Sequence, residues 1–159
     1  MTIQIGDKIP QVSIKAVSDG EILETNTETL FATGKAVLFG VPGAFTPTCS
    51  QAHLPEYVDL FEAIKAKGVD KIVCMSVNDA FVMKAWADAS DAHKIIMLAD
   101  GSADFTEQLG LQLDASTFGM GLRCQRFAMI IEDGAVKQCF VEQPKQFEVS
   151  KAEYILEKL

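Results

Sequence analysis

Lys35 to Cys49 reads KAVLFGVPGAFTPTC, and this stretch decides the fold. Its first half, Lys35 to Val41, is apolar and short, as a buried strand requires, and from Ser50 to Lys67 the apolar residues recur at helical spacing. Between them, Pro42 to Thr48 forms a rigid loop that carries hydroxyl groups. Strand, loop and helix in that order put Cys49 at the expected start of the helix. The first N–H groups of a helix have no partner within it, and the macrodipole places partial positive charge there, so a thiolate is favoured over a thiol. The expectation is a nucleophilic cysteine.

Outward from that stretch, the elements alternate. A β segment is expected around Val12 to Val17. The helix after Cys49 carries a stripe of Tyr57, Leu60, Phe61 and Ile64 and ends at Gly68. A strand from Lys71 to Val77 leads into a helix capped by Asn78 or Asp79, with Val82, Ala85, Trp86 and Ala89 on one face. A short strand, Ile95 to Leu98, and a short helix near Ala103 to Leu109 read as an insertion. Phe127 to Ile131 and Val136 to Val141 flank Asp133-Gly134, a hairpin signal. Ser150 and Glu153 have the spacing of a capping box for a last helix bearing Tyr154, Ile155 and Leu159. This is the order of a thioredoxin-like α/β fold with a mixed central sheet, an N-terminal extension and one insertion. With 159 residues, 1–159 reads as one domain.

Pro42, Thr46 and Cys49 fit the pattern PxxxTxxC, continued by Ser50-Gln51-Ala52-His53-Leu54-Pro55-Glu56-Tyr57. With the segments Val77 to Trp86, Gly119 to Arg123, Arg126 to Met129 and Glu132 to Gly134, the chain resembles the peroxiredoxins, specifically the peroxiredoxin 5-like (type II) subgroup, over nearly its whole length. The resemblance implies a thiol peroxidase that reduces hydrogen peroxide and small organic hydroperoxides through a sulfenic acid on Cys49. It also implies that Arg126 is the active-site arginine, and that Phe45, Phe81 and Phe118 contribute to a homodimer interface. The residues suit that chemistry. Thr46 offers a hydroxyl to the peroxide oxygens, the backbone N–H groups of Thr48 and Cys49 can hold the substrate, and Pro42 covers the sulfur without offering a donor. A fixed guanidinium favours the thiolate and the polarised peroxide. Proximity and charge supply the catalysis, and no metal or other cofactor is required.

Plainer readings stand beside these. Thr46 has the residue type of a helix cap. His53, at i+4 from Cys49, invites a Cys/His general-base reading, but nothing nominates an oxyanion hole or an orienting group. His93 reads as surface. Two histidines and no CxxC argue against a zinc site. The missing CxxC also weakens the alternative of a thiol-disulfide oxidoreductase. A redox-sensing binding protein that does not turn over is the other alternative.

Many members of the subgroup resolve the oxidised cysteine with a second cysteine near the C-terminus. Here Glu142 to Val149 contains none. Cys74 reads as a core residue within a strand, and Cys139 as packing in a hairpin. Cys124 would share a face with Arg126 if that stretch is extended. The expectation is a one-cysteine cycle completed by an external thiol, glutathione with a glutaredoxin or a thioredoxin. Glu56 stands where the family more often has glycine.

Composition narrows the partners. A net charge of −8, a pI near 4.7 and no basic run argue against nucleic-acid or anionic-membrane binding. No apolar stretch approaches the ~20 residues of a membrane span, and Met1 to Asp7 lacks the pattern of a signal peptide. Four scattered cysteines fit a reducing compartment, so a cytoplasmic location is expected.

Overall fold

The computed structural model describes residues 1–159. In chain order the elements are β1 (Ser13–Ser18), β2 (Glu21–Asn26), α1 (Thr27–Phe31), β3 (Lys35–Gly40), a π-helical turn at Cys49–His53, α2 (Leu54–Asp59), α3 (Phe61–Lys65), β4 (Lys71–Ser76), α4 (Ala80–Ala89), β5 (Ile96–Ala99), α5 (Asp104–Leu109), β6 (Gln112–Asp114), a 3₁₀ turn at Ser116–Phe118, β7 (Leu122–Cys124), β8 (Phe127–Glu132), β9 (Ala135–Val141) and α6 (Ala152–Lys158). Seven strands form one sheet in the order β2-β1-β5-β4-β3-β8-β9, and β6 and β7 pair separately. The neighbours β3, β4 and β5 run parallel, whereas β8 is antiparallel to β3. This is the mixed sheet of the thioredoxin-like fold.

The central strands are buried on both faces, which is why they read as continuous apolar runs. Val37, Phe39, Ile72 and Cys74 point to a layer that includes Tyr57, Ile64, Met83, Trp86 and Ile155 of the helices. Ala36, Leu38, Val73 and Met75 alternate to the other layer, with Phe31, Phe105, Leu109 and Cys124. Burial of that many large side chains drives the assembly, at ~25 cal/mol for each Å² of apolar surface removed from water.

Several expectations change. β5 is no insertion: it sits between β1 and β4 and pairs with both. The excursion is the stretch from α5 through β7. On α4 the buried residues are Ala80, Met83, Trp86 and Ala87, while Ala85 and Ala89 are exposed. Asp79 is the cap, accepting from the Val82 N–H at 2.9 Å. The capping box at α6 does not form. The Ser150 hydroxyl instead donates to Glu142 Oε2 at 2.7 Å, and the Glu153 N–H donates to Glu56 Oε1 at 2.8 Å. Glu56 of α2 therefore caps α6 from across the interface. The hairpin forms as expected, with Asp133 and Gly134 at φ of +49° and +81°.

The sheet also fixes where chemistry can occur. β3 delivers the loop of Pro42 to Thr48 at its C-terminal end. Because β8 is antiparallel and Gly40 pairs with Phe127, the residue before Phe127, Arg126, emerges at that same end. Phe127 likewise pairs with Val141, and the Glu142 N–H donates to the Arg126 carbonyl at 2.9 Å. The loop, Arg126 and Glu142 thus stand side by side along one edge of the sheet. Gly40 is required at this point, since a Cβ there would lie 2.2 Å from the Phe127 ring.

Candidate active site

The helix after the loop begins at Pro47, two residues earlier than expected, and Cys49 lies in its first turn. Proline suits that first position because it lacks an N–H that would have no partner there. The Ser50 N–H donates to the Thr46 carbonyl at 2.9 Å. The Thr46 hydroxyl donates to the Gly43 carbonyl at 2.7 Å and does not cap the helix. That bond uses the hydroxyl proton and leaves the oxygen lone pairs free to accept.

The loop is braced from two sides. Asn78 Oδ1 accepts from the Ala44 N–H at 3.0 Å and from the Ser76 hydroxyl at 2.6 Å. Arg123 donates through Nη1 to the Pro42 carbonyl at 3.3 Å and through Nε to the Met120 carbonyl at 3.0 Å. Phe45 holds a φ of +63°, a strained conformation for a bulky residue, and its ring is exposed.

Cys49 has no exposed surface. Arg126 Nη2 donates to its sulfur at 3.2 Å, and Arg126 Nη1 donates to His53 Nδ1 at 2.8 Å. His53 Nε2 lies 3.0 Å from the Ser150 carbonyl, which can only accept, so the ring is neutral with its proton on Nε2. Burial, then the Arg126 charge, lowers the His53 pKa to about 3, against the pull of the Ser150 carbonyl. The guanidinium is covered by Phe147, whose ring centroid is 5.7 Å from Cζ. A cleft of about 310 Å³ is lined by Pro42, Thr48, Arg126, Phe118, Glu142 and Phe147, among others, so that the guanidinium bonded to the sulfur also faces it. Pro42, Thr48 and Arg126, separated by up to 84 positions in sequence, line this cleft together, and Arg126 is bonded to Cys49; Thr46 lies in the same loop, with its hydroxyl turned to Gly43.

The other thiols are placed differently. Cys74 faces the same core layer as Cys49 and is fully buried; burial and then the neighbouring Cys49 push its pKa well up. Cys124 does not share the face of Arg126. It ends β7 in the small sheet, and its thiol lies in the opposite core layer, donating to the Gln125 carbonyl at 3.1 Å. Burial raises its pKa strongly and raises that of Cys139 to about 11. All four cysteines are free.

Four residues take roles here that the sequence does not indicate. Asn78 and Arg123 hold the loop, His53 orients Arg126, and Glu142 holds Ser150. The i+4 spacing from Cys49 marks His53 as a neighbour of the sulfur, but its role is set by Arg126, which no local pattern reveals.

A family model described as Redoxin matches residues 4–156. The chain is 45% identical over 159 residues to Peroxiredoxin-2B of Arabidopsis thaliana, covering 99% of this chain and 98% of that one. The reduced Prx3 of Vibrio vulnificus, solved in complex with hydrogen peroxide, superposes with a TM-score of 0.93 at 53% identity, covering 99% of this chain and 96% of that one. The Plasmodium falciparum antioxidant protein, a 1-Cys peroxiredoxin, superposes with a TM-score of 0.90 at 31% identity over 98% of each chain. The chain belongs to the redoxin family and, within it, to the peroxiredoxins of the type II, peroxiredoxin 5-like kind. It is a thiol peroxidase, an oxidoreductase that acts on peroxides.

Proposed function

We propose that this peroxidase works through Cys49 alone, reducing hydrogen peroxide and small organic hydroperoxides and relying on an external thiol for its own reduction. The observation that carries this reading is the guanidinium of Arg126, which lines an open cleft and is hydrogen-bonded to the buried sulfur of Cys49. The thiolate of Cys49 attacks one peroxide oxygen, the O–O bond breaks, and the departing oxygen leaves as water or an alcohol after taking up a proton. Arg126 stabilises the charge moving along that axis, and Thr46 accepts a hydrogen bond from the substrate. Pro42 and Thr48 shape the cleft around the bound peroxide. The product is a sulfenic acid on Cys49. An external thiol then condenses with it, forming a mixed disulfide and releasing water, and a second thiol displaces Cys49 as the thiolate.

The other cysteines favour this one-cysteine cycle. Cys124 is across the sheet from Cys49, and Cys74 and Cys124 are sealed in the core as high-pKa thiols. A solved relative carries the description 1-Cys peroxiredoxin. Exposed Phe45, Phe81 and Phe118 supply apolar surface for a homodimer. The thiol chemistry suits a reducing compartment, in keeping with a cytoplasmic location. Peroxide consumption is to be measured with glutathione and glutaredoxin, and separately with thioredoxin, on the wild type and on Cys49→Ser and the triple variant Cys74→Ser/Cys124→Ser/Cys139→Ser. The triple variant is expected to sustain many turnovers and Cys49→Ser none. Loss of turnover in a folded triple variant overturns the one-cysteine reading.

A further inference from the structure

We propose that Glu142 is a positioning residue for the reactive sulfur: its carboxylate fixes the Ser150 carbonyl, that carbonyl orients His53, and His53 aims the Arg126 guanidinium at Cys49. The proposal rests on the reading of Cys49 and Arg126 given above.

The contacts form an unbroken chain. Glu142 Oε2 accepts from the Ser150 N–H at 2.9 Å, the Ser150 hydroxyl at 2.7 Å and the Glu148 N–H at 2.7 Å. Three donors on one oxygen pin the segment from Glu148 to Ser150. The Ser150 carbonyl then accepts from His53 Nε2 at 3.0 Å and from the Tyr57 hydroxyl at 2.9 Å. With its proton committed to Nε2, the imidazole presents only a lone pair at Nδ1, and Arg126 Nη1 donates to it at 2.8 Å. The guanidinium is rigid and planar, so fixing one nitrogen fixes the direction of the other. That other nitrogen, Nη2, donates to the Cys49 sulfur at 3.2 Å.

The arrangement solves a difficulty that strand pairing creates. Glu142 is the backbone partner of Arg126, so its carboxylate emerges next to the guanidinium and could neutralise it. Arg126 makes no ion pair, and its neighbours in the network are a neutral imidazole and the sulfur. The Glu142 carboxylate is instead occupied by donors of its own segment, which hold its pKa down although desolvation pushes the other way. Positive charge is thereby reserved for the sulfur, while the negative group acts at a distance as an anchor. Networks of this kind rigidify when every member is satisfied, and no buried side-chain nitrogen or oxygen lacks a partner here.

The test is a double-mutant cycle on the rate of Cys49 oxidation by one equivalent of hydrogen peroxide, with the melting temperature measured alongside. Glu142→Ala should slow oxidation about tenfold, the order expected for loosening a hydrogen bond to a charged group. Glu142→Gln, which keeps an acceptor oxygen, should stay within about threefold of wild type. In the His53→Ala background, where the chain is already cut, Glu142→Ala should slow oxidation no further, even though its cost in melting temperature adds. Equal slowing in both backgrounds, or none in the wild type, overturns the proposal. If Glu142→Ala does not fold, Glu142→Asp, which keeps the charge but shortens the reach, takes its place in the same cycle with the same criteria. Arg126→Gln is measured in parallel: an unchanged rate there would overturn the underlying reading of the site, whereas a slowed Arg126→Gln with additive Glu142 effects overturns only the role of Glu142.

Discussion

Replacing Arg126 by glutamine tests whether charge or mere polarity activates Cys49. The guanidinium nitrogen is 3.2 Å from the sulfur. Two unit charges at that separation in bulk water would attract by only about 1.3 kcal/mol, which would limit the effect on rate to roughly tenfold. Cys49 is fully buried, however, so its hydrogen bond to a charged donor is worth about 1.5–3 kcal/mol. At about 1.4 kcal/mol per decade, Arg126→Gln should slow the reaction with peroxide by about 10- to 150-fold. Arg126→Lys should fall between, because one ammonium keeps the charge but cannot span His53 and Cys49 with a planar fork. The reaction is followed in a single turnover by the fluorescence of Trp86, the one tryptophan, whose Nε1 donates to Ser50 Oγ at 2.9 Å beside the reacting turn. Quenched samples read by intact mass confirm the oxidation state. A folded Arg126→Gln that reacts within twofold of wild type refutes the reasoning.

Glu56→Ala removes the acceptor that caps α6, and loss of a helix cap costs ~1 kcal/mol. In a chain of this length that lowers the melting temperature by about 2–4 °C, and an unchanged melting curve would show that the cap contributes nothing. Gly40→Ala forces a methyl group onto the Phe127 ring and should cost about 1–3 kcal/mol; because Phe127 adjoins Arg126, peroxide reactivity should fall with it, and a stable, fully active variant would contradict that coupling. His53 supplies a pH signature. Its folded pKa, about 3, is below the ~6.5 of the unfolded chain, so between those values the unfolded state holds a proton that the folded state lacks. Its contribution to stability is complete above ~6.5 and is lost as pH falls towards 3, at up to about 1.4 kcal/mol per pH unit. Urea midpoints from pH 7 to 4 should decline less steeply in His53→Gln, and parallel declines would reject the buried neutral imidazole.

The legible parts of this fold are those where one physical cause dominates. Val37, Leu38 and Phe39 are buried on alternate faces of the sheet, so their apolar run reads as a strand whatever surrounds it. Asp133-Gly134 reads as a turn because the backbone there needs positive φ. β2 gives no period-two signal, since it is an edge strand with no residue fully buried. The face of α4 is ambiguous in sequence because Phe81, Val82 and Met83 are three consecutive apolar residues, of which only Met83 is buried beside Trp86. Ser150 and Glu153 match a capping box, yet a carboxylate eight residues before Ser150 competes for its hydroxyl and N–H and wins. At the site, Cys49 and Thr46 announce themselves through loop chemistry. Arg126 and Glu142 arrive through strand register, which a linear pattern does not carry.

The pairing of Cys49 with His53 shows why proximity alone does not define a thiolate–imidazolium couple. For His53 to take the proton from Cys49, one ring nitrogen would have to face the sulfur with a free lone pair, but both are engaged, Nε2 with Ser150 and Nδ1 with Arg126. Protonating Nδ1 would also set a second positive charge against the guanidinium across 2.8 Å, a repulsion of roughly 6 kcal/mol at an effective dielectric constant of about 20. That repulsion reinforces the burial that already keeps the ring neutral. His53 therefore does not serve as the base for Cys49. What remains is a division of labour in which the imidazole contributes geometry and the guanidinium contributes charge. A permanent cation serves peroxide reduction well, because the charge that must be stabilised moves along the S–O–O axis while the number of protons on the protein's cationic partner stays fixed.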